Sequence, residues 1–161
     1  MNSFFLKNNN DNNNGNNNDI IWLYNDENKY LTYTSKLLSI NGLVGLYFGE
    51  KYFSLMILFT SLFSYNFWRK PKYDWRRTID IYWTRLLTPI FFHHAIINID
   101  NYYIKTIIPI TYTSAIYLFL KAVNMHKNRN RMWYYNHYLA HHLVFLGHSL
   151  TVGYEIIKKK D

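Results

Sequence analysis

The 161-residue chain carries a net charge of +8, no cysteine and only 6 glycines. The lack of cysteine excludes disulfides, zinc–thiolate sites, iron–sulfur clusters and thiol catalysis, and neither a dinucleotide glycine fingerprint nor a phosphate loop occurs. A hydrophobic fraction of 49% resembles that of an ordinary soluble single domain, but the average conceals polar residues gathered into a tail and two loops.

Met1 to Lys7 is too short and too interrupted for a cleavable signal peptide, so membrane insertion would use retained internal segments. Asn8 to Asn18 holds nine Asn, one Asp and one Gly. Side chains of that kind build no core, and residues 1–30 are predicted to form a disordered cytoplasmic tail. An apolar stretch follows over about 31–49, with Asn41 inside it. Tyr52 to Trp68 then runs for 17 residues without a charge, giving a predicted span over about 52–69. A basic loop comes next, with Arg69, Lys70, Lys72, Arg76 and Arg77. Further predicted spans cover about 79–99 and 102–123, joined by a short, nearly neutral connection at Asp100. A second basic connection carries Lys121, Lys127, Arg129 and Arg131, and the last predicted span covers about 133–157.

About 20 mostly apolar residues cross a bilayer, and a surface helix of a soluble bundle would show a polar stripe that these segments lack. The predicted fold is therefore all-α, a polytopic transmembrane helix bundle of four or five spans over residues 31–157. Two spans separate the basic loops, so both fall on one side, which the positive-inside tendency makes cytoplasmic. Trp68, Trp75, Trp83, Trp133, Tyr134 and Tyr135 flank those loops as an aromatic belt does. The positive charge then meets anionic headgroups at Arg69, Lys70, Lys72, Arg76 and Arg77, and nucleic acid is not the expected partner. The ending Lys158-Lys159-Lys160-Asp161 has the spacing of a dilysine retrieval signal and suggests the endoplasmic reticulum or another endomembrane. Five spans, however, place it on the side away from the cytoplasm.

Candidate chemistry lies in the polar residues within the spans, which are costly there. On a helix His141 lies about 40° and His148 about 20° round from His137, while His142 points elsewhere. His137 and His141 have a metal-ligand spacing. The same stripe equally suits a proton relay or hydrogen bonding between helices. Asp80, Thr84, Phe91, His94 and Asn98 share a face of the 79–99 segment. Asp80 is expected in the first helical turn, as a cap or as partner to Arg76 or Arg77. His93 and His94 lie about 20 Å from it along the helix. Ser61 and Tyr65, one turn apart, face one interior, as small hydroxyl residues do at close helix contacts.

Ser61, Asp80, His137 and His141 together resemble the motif of the CREST superfamily of multi-span membrane hydrolases, which includes alkaline ceramidases and progestin/adiponectin receptor-like proteins. That family has Ser-x-x-x-His at the end of one span, Asp at the start of the next and His-x-x-x-His in the last of seven. Tyr65 stands here where the family has its first His. The resemblance implies a zinc-dependent lipid amide or ester hydrolase, with His137 and His141 on the metal, Asp80 orienting or activating water, and Ser61 stabilising the oxyanion. A proton-coupled carrier using the His stripe and a non-catalytic membrane scaffold are the alternative expectations.

Overall fold

The computed structural model describes residues 27–71, 74–128 and 130–159. Among them are five helices and no strands: α1 (Glu27–Tyr47), α2 (Lys51–Trp68), α3 (Trp75–Asn98), α4 (Tyr102–Lys127) and α5 (Trp133–Lys158). One helix occupies each predicted segment. The all-α class follows, and the first 26 residues, most of the predicted tail, lie outside the description. Residues 27–30, expected in that tail, already belong to α1.

The helix ends follow local chemistry. Gly49 turns the chain between α1 and α2 at φ 86°, a left-handed conformation that glycine adopts without a Cβ penalty. Asp74 caps α3, its Oδ1 accepting from Arg76 N at 3.0 Å while Oδ2 takes the Arg76 guanidinium at 2.5 Å. Asp80 is therefore not in the first turn. The cap is six residues earlier and Arg76 is committed to it, which leaves Arg77 as the charged neighbour of Asp80. Asn101 Oδ1 caps α4 by accepting from Ile104 N at 3.1 Å.

Successive helices run antiparallel, and α5 closes back on α1. Two contacts fix the α1–α2 hairpin: Ser35 meets Ser64 near one end, and Gly45 sits against Ser54 near the other. Both glycines facing α2 are needed for this approach. A Cβ on Gly45 would overlap Ser54 Oγ, and one on Gly42 would lie 2.5 Å from Leu58 Cγ. Helices α1 and α5 run parallel, with Glu27 paired to Arg131, Thr34 to His141 and Asn41 to Ser149.

This alternation puts both basic connections, after α2 and after α4, at one end of the bundle. The Gly49 turn, the Asp100 connection and the end of α5 lie at the other. Lys158 and Lys159 are at that second end and are engaged there. Lys158 Nζ donates to Asp100 Oδ2 at 2.6 Å, and Lys159 pairs with Glu50 at 2.5 Å.

Apolar packing forms two clusters. Phe53, Ile57, Leu87, Phe91, Ile108, Tyr112 and Val152 fill the middle and the far half, while Leu31, Phe67, Trp68, Trp133 and Tyr134 close the basic end. Around them the usual distribution is inverted in places. Ser35, Ser54, His148 and Thr151 are fully buried. Leu43, Leu62, Leu86, Ile97, Ile110 and Leu120 are each more than half exposed. By length and composition α4 alone, among the described residues, is apolar enough to cross a membrane. The inward-facing Ser, Thr, Asn and His of α2 and α5 and the charges of α3 lower the apolar character of those helices.

Candidate functional site

The polar interior divides into a seam and a cavity. The seam joins α1 to α2 and α5. Ser61 Oγ donates to the Ser35 carbonyl at 2.7 Å, and the Ser35 and Ser64 hydroxyls lie 2.9 Å apart. Thr34 Oγ1 donates to Leu31 O at 3.0 Å and lies 2.9 Å from His141 Nδ1. With its single proton already given away, the threonine accepts from His141 Nδ1–H. Further along, Asn41 Nδ2 donates to Phe145 O at 3.0 Å, and Ser149 Oγ donates to Asn41 Oδ1 at 3.0 Å.

The cavity lies at the basic end, where the end of α2, the first turns of α3, the end of α4 and the start of α5 meet. Its volume is about 290 Å³. Phe67, Trp68, Phe119 and Trp133 supply aromatic walls, Asp80 a carboxylate, Arg77 and Lys127 cations, and His126 and His137 imidazoles. His137 is buried among rings, with centroids 4.9 Å from Trp68 and 5.5 Å from Phe119. His126 packs edge-on against Trp133 at 4.9 Å. Trp68 Nε1 and His126 Nε2 are buried without a hydrogen-bond partner.

Of the four residues picked out by the motif, the cavity wall takes two, Asp80 and His137. Ser61 is spent on the α1–α2 contact and His141 on Thr34. The His137 and His141 rings are 4.9 Å apart, yet they serve different surroundings, one the cavity and the other the seam. Among the described residues no group of three or more His, Asp or Glu side chains is arranged to hold a metal ion. The donor set does not fit the zinc that the resemblance implies.

The third imidazole of the stripe, His148, faces Tyr112, with Nδ1 2.8 Å from the hydroxyl. Its Nε2 has no partner and lies among rings, Phe91 at 4.4 Å and Phe53 at 5.9 Å between centroids, both edge-on. Aromatic faces partly satisfy such an N–H. On α3, Asn98 Nδ2 donates to His94 Nδ1 at 2.9 Å, which leaves Nε2–H to face Glu155 Oε1 at 3.2 Å. His94 thus belongs to the end opposite Asp80. At that same end Lys158 holds the Asp100 carboxyl below its ordinary range by hydrogen bonding.

Sequence reasoning missed His126, Lys127 and Trp68 as site residues. All three stand at the margins of basic loops, where Trp68 reads as part of the aromatic belt, Lys127 as a loop charge, and His126 carries no signal of its own. The signal lay in topology: loops on one side of a helical bundle bring their flanking residues together. Comparisons with protein-family models, with curated proteins and with solved structures find no match for this chain.

Proposed function

We propose that the chain is a multi-span membrane protein that receives a lipid headgroup in the cavity at its basic end. The observation that carries this reading is the distribution of side chains, with large aliphatic residues outward and hydrogen-bonded hydroxyls, amides and imidazoles inward. Exposed apolar surface on that scale is a liability in water, whereas in lipid it is the solvated face. Polar side chains that hydrogen-bond between helices are a usual means of membrane helix association, as are small residues that let helices approach. The shortest helix has 18 residues and the longest 26, so at about 1.5 Å per residue each rises about 27–39 Å. A bilayer hydrocarbon core is about 30 Å thick. The resemblance to multi-span lipid hydrolases points to the same setting, and a cavity walled by Trp at a basic end lies where headgroups are.

The lack of cysteine makes the test direct. Single-cysteine variants Lys70→Cys and Asn128→Cys at the basic end, and Lys51→Cys and Tyr102→Cys at the other, are reacted in sealed vesicles with an impermeant maleimide. Labelling of the two pairs from opposite faces is expected. Labelling of all four from one face sinks the five-span reading.

Asp80 and His137 on one cavity wall favour a second reading, in which a lipid ester or amide bond is hydrolysed there with these two as the acid–base pair. Zinc near one per chain in purified protein, lost in His137→Ala, would move the assignment to the metal-dependent hydrolase. Zinc near zero, with no lipid product formed, leaves headgroup binding.

A further inference from the structure

Buried polar atoms are nearly always paired, and each exception calls for a reason. Among the described residues four side-chain atoms are buried and unpaired: Ser54 Oγ, Trp68 Nε1, His126 Nε2 and His148 Nε2. Ser54 lies in the space left by Gly45, and His148 lies against aromatic rings. The remaining two belong to residues that line one cavity, and Trp68 is 4% exposed.

The chemistry of these atoms restricts what fills the space. An indole N–H only donates, and no acceptor among the described residues meets it. Arg77 and Lys127 line the same cavity and add positive charge. Oxygens of a phosphate ester meet both demands, since charge-assisted hydrogen bonds to such oxygens are the strong kind. Arg77 is already the charged neighbour of Asp80, so a plain anion would compete with that carboxylate for the same cation. A ligand that carries a cation a short distance from its phosphate resolves this conflict. Its ammonium pairs with Asp80 and rests on the Trp68, Phe119 and Trp133 walls, as cations do over aromatic faces.

Resting on the membrane reading above, we propose that the cavity is a binding site for a zwitterionic phosphate–amine group, of the phosphoethanolamine or phosphocholine class. Trp68 Nε1 and His126 Nε2 meet the phosphate oxygens, Arg77 and Lys127 supply the countercharge, and Asp80 faces the amine.

The test uses full-length protein in a maltoside detergent, titrated with four probes and read by native mass spectrometry. The probes are dihexanoyl-phosphatidylethanolamine, dihexanoyl-phosphatidylcholine, dihexanoyl-phosphatidic acid and glycerophosphoethanolamine. One saturable molecule of a phosphate–amine lipid per chain is expected, with phosphatidic acid at least tenfold weaker. Trp68→Phe keeps the ring and removes the donor, and should weaken binding about tenfold, or about 1.4 kcal/mol. His126→Phe should weaken it similarly, and Asp80→Asn should abolish the preference over phosphatidic acid. Glycerophosphoethanolamine bound as tightly as the lipids supports the phosphate–amine site and assigns its ligand to a free ester. Phosphatidic acid bound equally well overturns the amine part, and unchanged binding in Trp68→Phe overturns the site. No saturable binding by protein that labels from both faces overturns the headgroup proposal and leaves the membrane reading standing. One-face labelling removes the membrane reading itself.

Discussion

The seam between α1, α2 and α5 and the cavity at the basic end are built from the same kinds of polar residue, yet they differ in how far their hydrogen bonds are met. In the seam Thr34, Ser35, Asn41, Ser61, Ser64, His141 and Ser149 each have a partner. In the cavity wall Trp68 Nε1 and His126 Nε2 have none. A satisfied network holds helices together, whereas an unsatisfied one leaves capacity for something else. Interior polarity is therefore not in itself a mark of chemistry, and the unmatched polar atoms single out the cavity better than the histidine stripe does.

The seam is where substitutions should cost most. Gly45→Val forces a branched side chain into Ser54 Oγ and should destabilise by about 3 kcal/mol, at the upper end of overpacking costs. Thermal unfolding in detergent, followed by circular dichroism, measures it. The control is Gly153→Ala, a position where an added Cβ meets nothing within 4 Å. It should be neutral or stabilise by up to about 1 kcal/mol, because alanine favours helix over glycine. Equal losses at the two glycines would mean that α1 and α2 do not approach as described.

A smaller effect separates hydrogen bonding from packing in the same seam. Ser35→Ala leaves Ser64 Oγ buried beside a methyl group and should cost about 1 kcal/mol. Ser35→Ala/Ser64→Ala removes both hydroxyls and should recover part of that loss, since a missing pair costs less than an orphan. A double variant that loses the sum of two single losses would show that the hydroxyls act independently.

Asp74, at the basic end but outside the cavity, tests a local device of similar size. Its side-chain bond from Arg76 holds the carboxyl below the ordinary range. A depressed folded value means that the contribution is complete above the unfolded pKa, about 3.9, and is lost as pH falls through the folded value. Asp74→Ala should cost about 1 kcal/mol at pH 7 through loss of the cap, and parent and variant should converge in stability by about pH 2. A difference that persists undiminished into acid would assign the loss to packing.

The sequence made the helices legible because long charge-free runs need little tertiary information, and all five predicted segments carry a helix. The start of α3 lies earlier than expected because Asp74, which carries no periodic signal, accepts from Arg76 N and caps the helix six residues before Asp80. Ser61 and His141 looked like site residues because spacing reports the face of a helix and not the neighbour it meets. Their neighbours, Ser35 and Thr34, come from α1, the segment with the weakest signal of its own. Asp80 and His137 do share a cavity, but its other polar members come from loop margins more than 40 residues apart in the chain. No periodicity relates residues at that separation.

The smallest expected change in stability is the most informative about the comparison. Trp68→Phe retains most of the ring that packs with Phe67 and Trp133 and deletes a buried N–H that has no partner. Removing an unpaired donor relieves a desolvation cost of about 1–3 kcal/mol, against a comparable loss from the smaller ring. In the absence of ligand the two should nearly cancel, and the unfolding temperature should match that of the parent. A loss as large as that of Ser35→Ala would mean that the indole N–H is already satisfied. The cavity would then be an extension of the seam, with its polar groups serving helix packing alone.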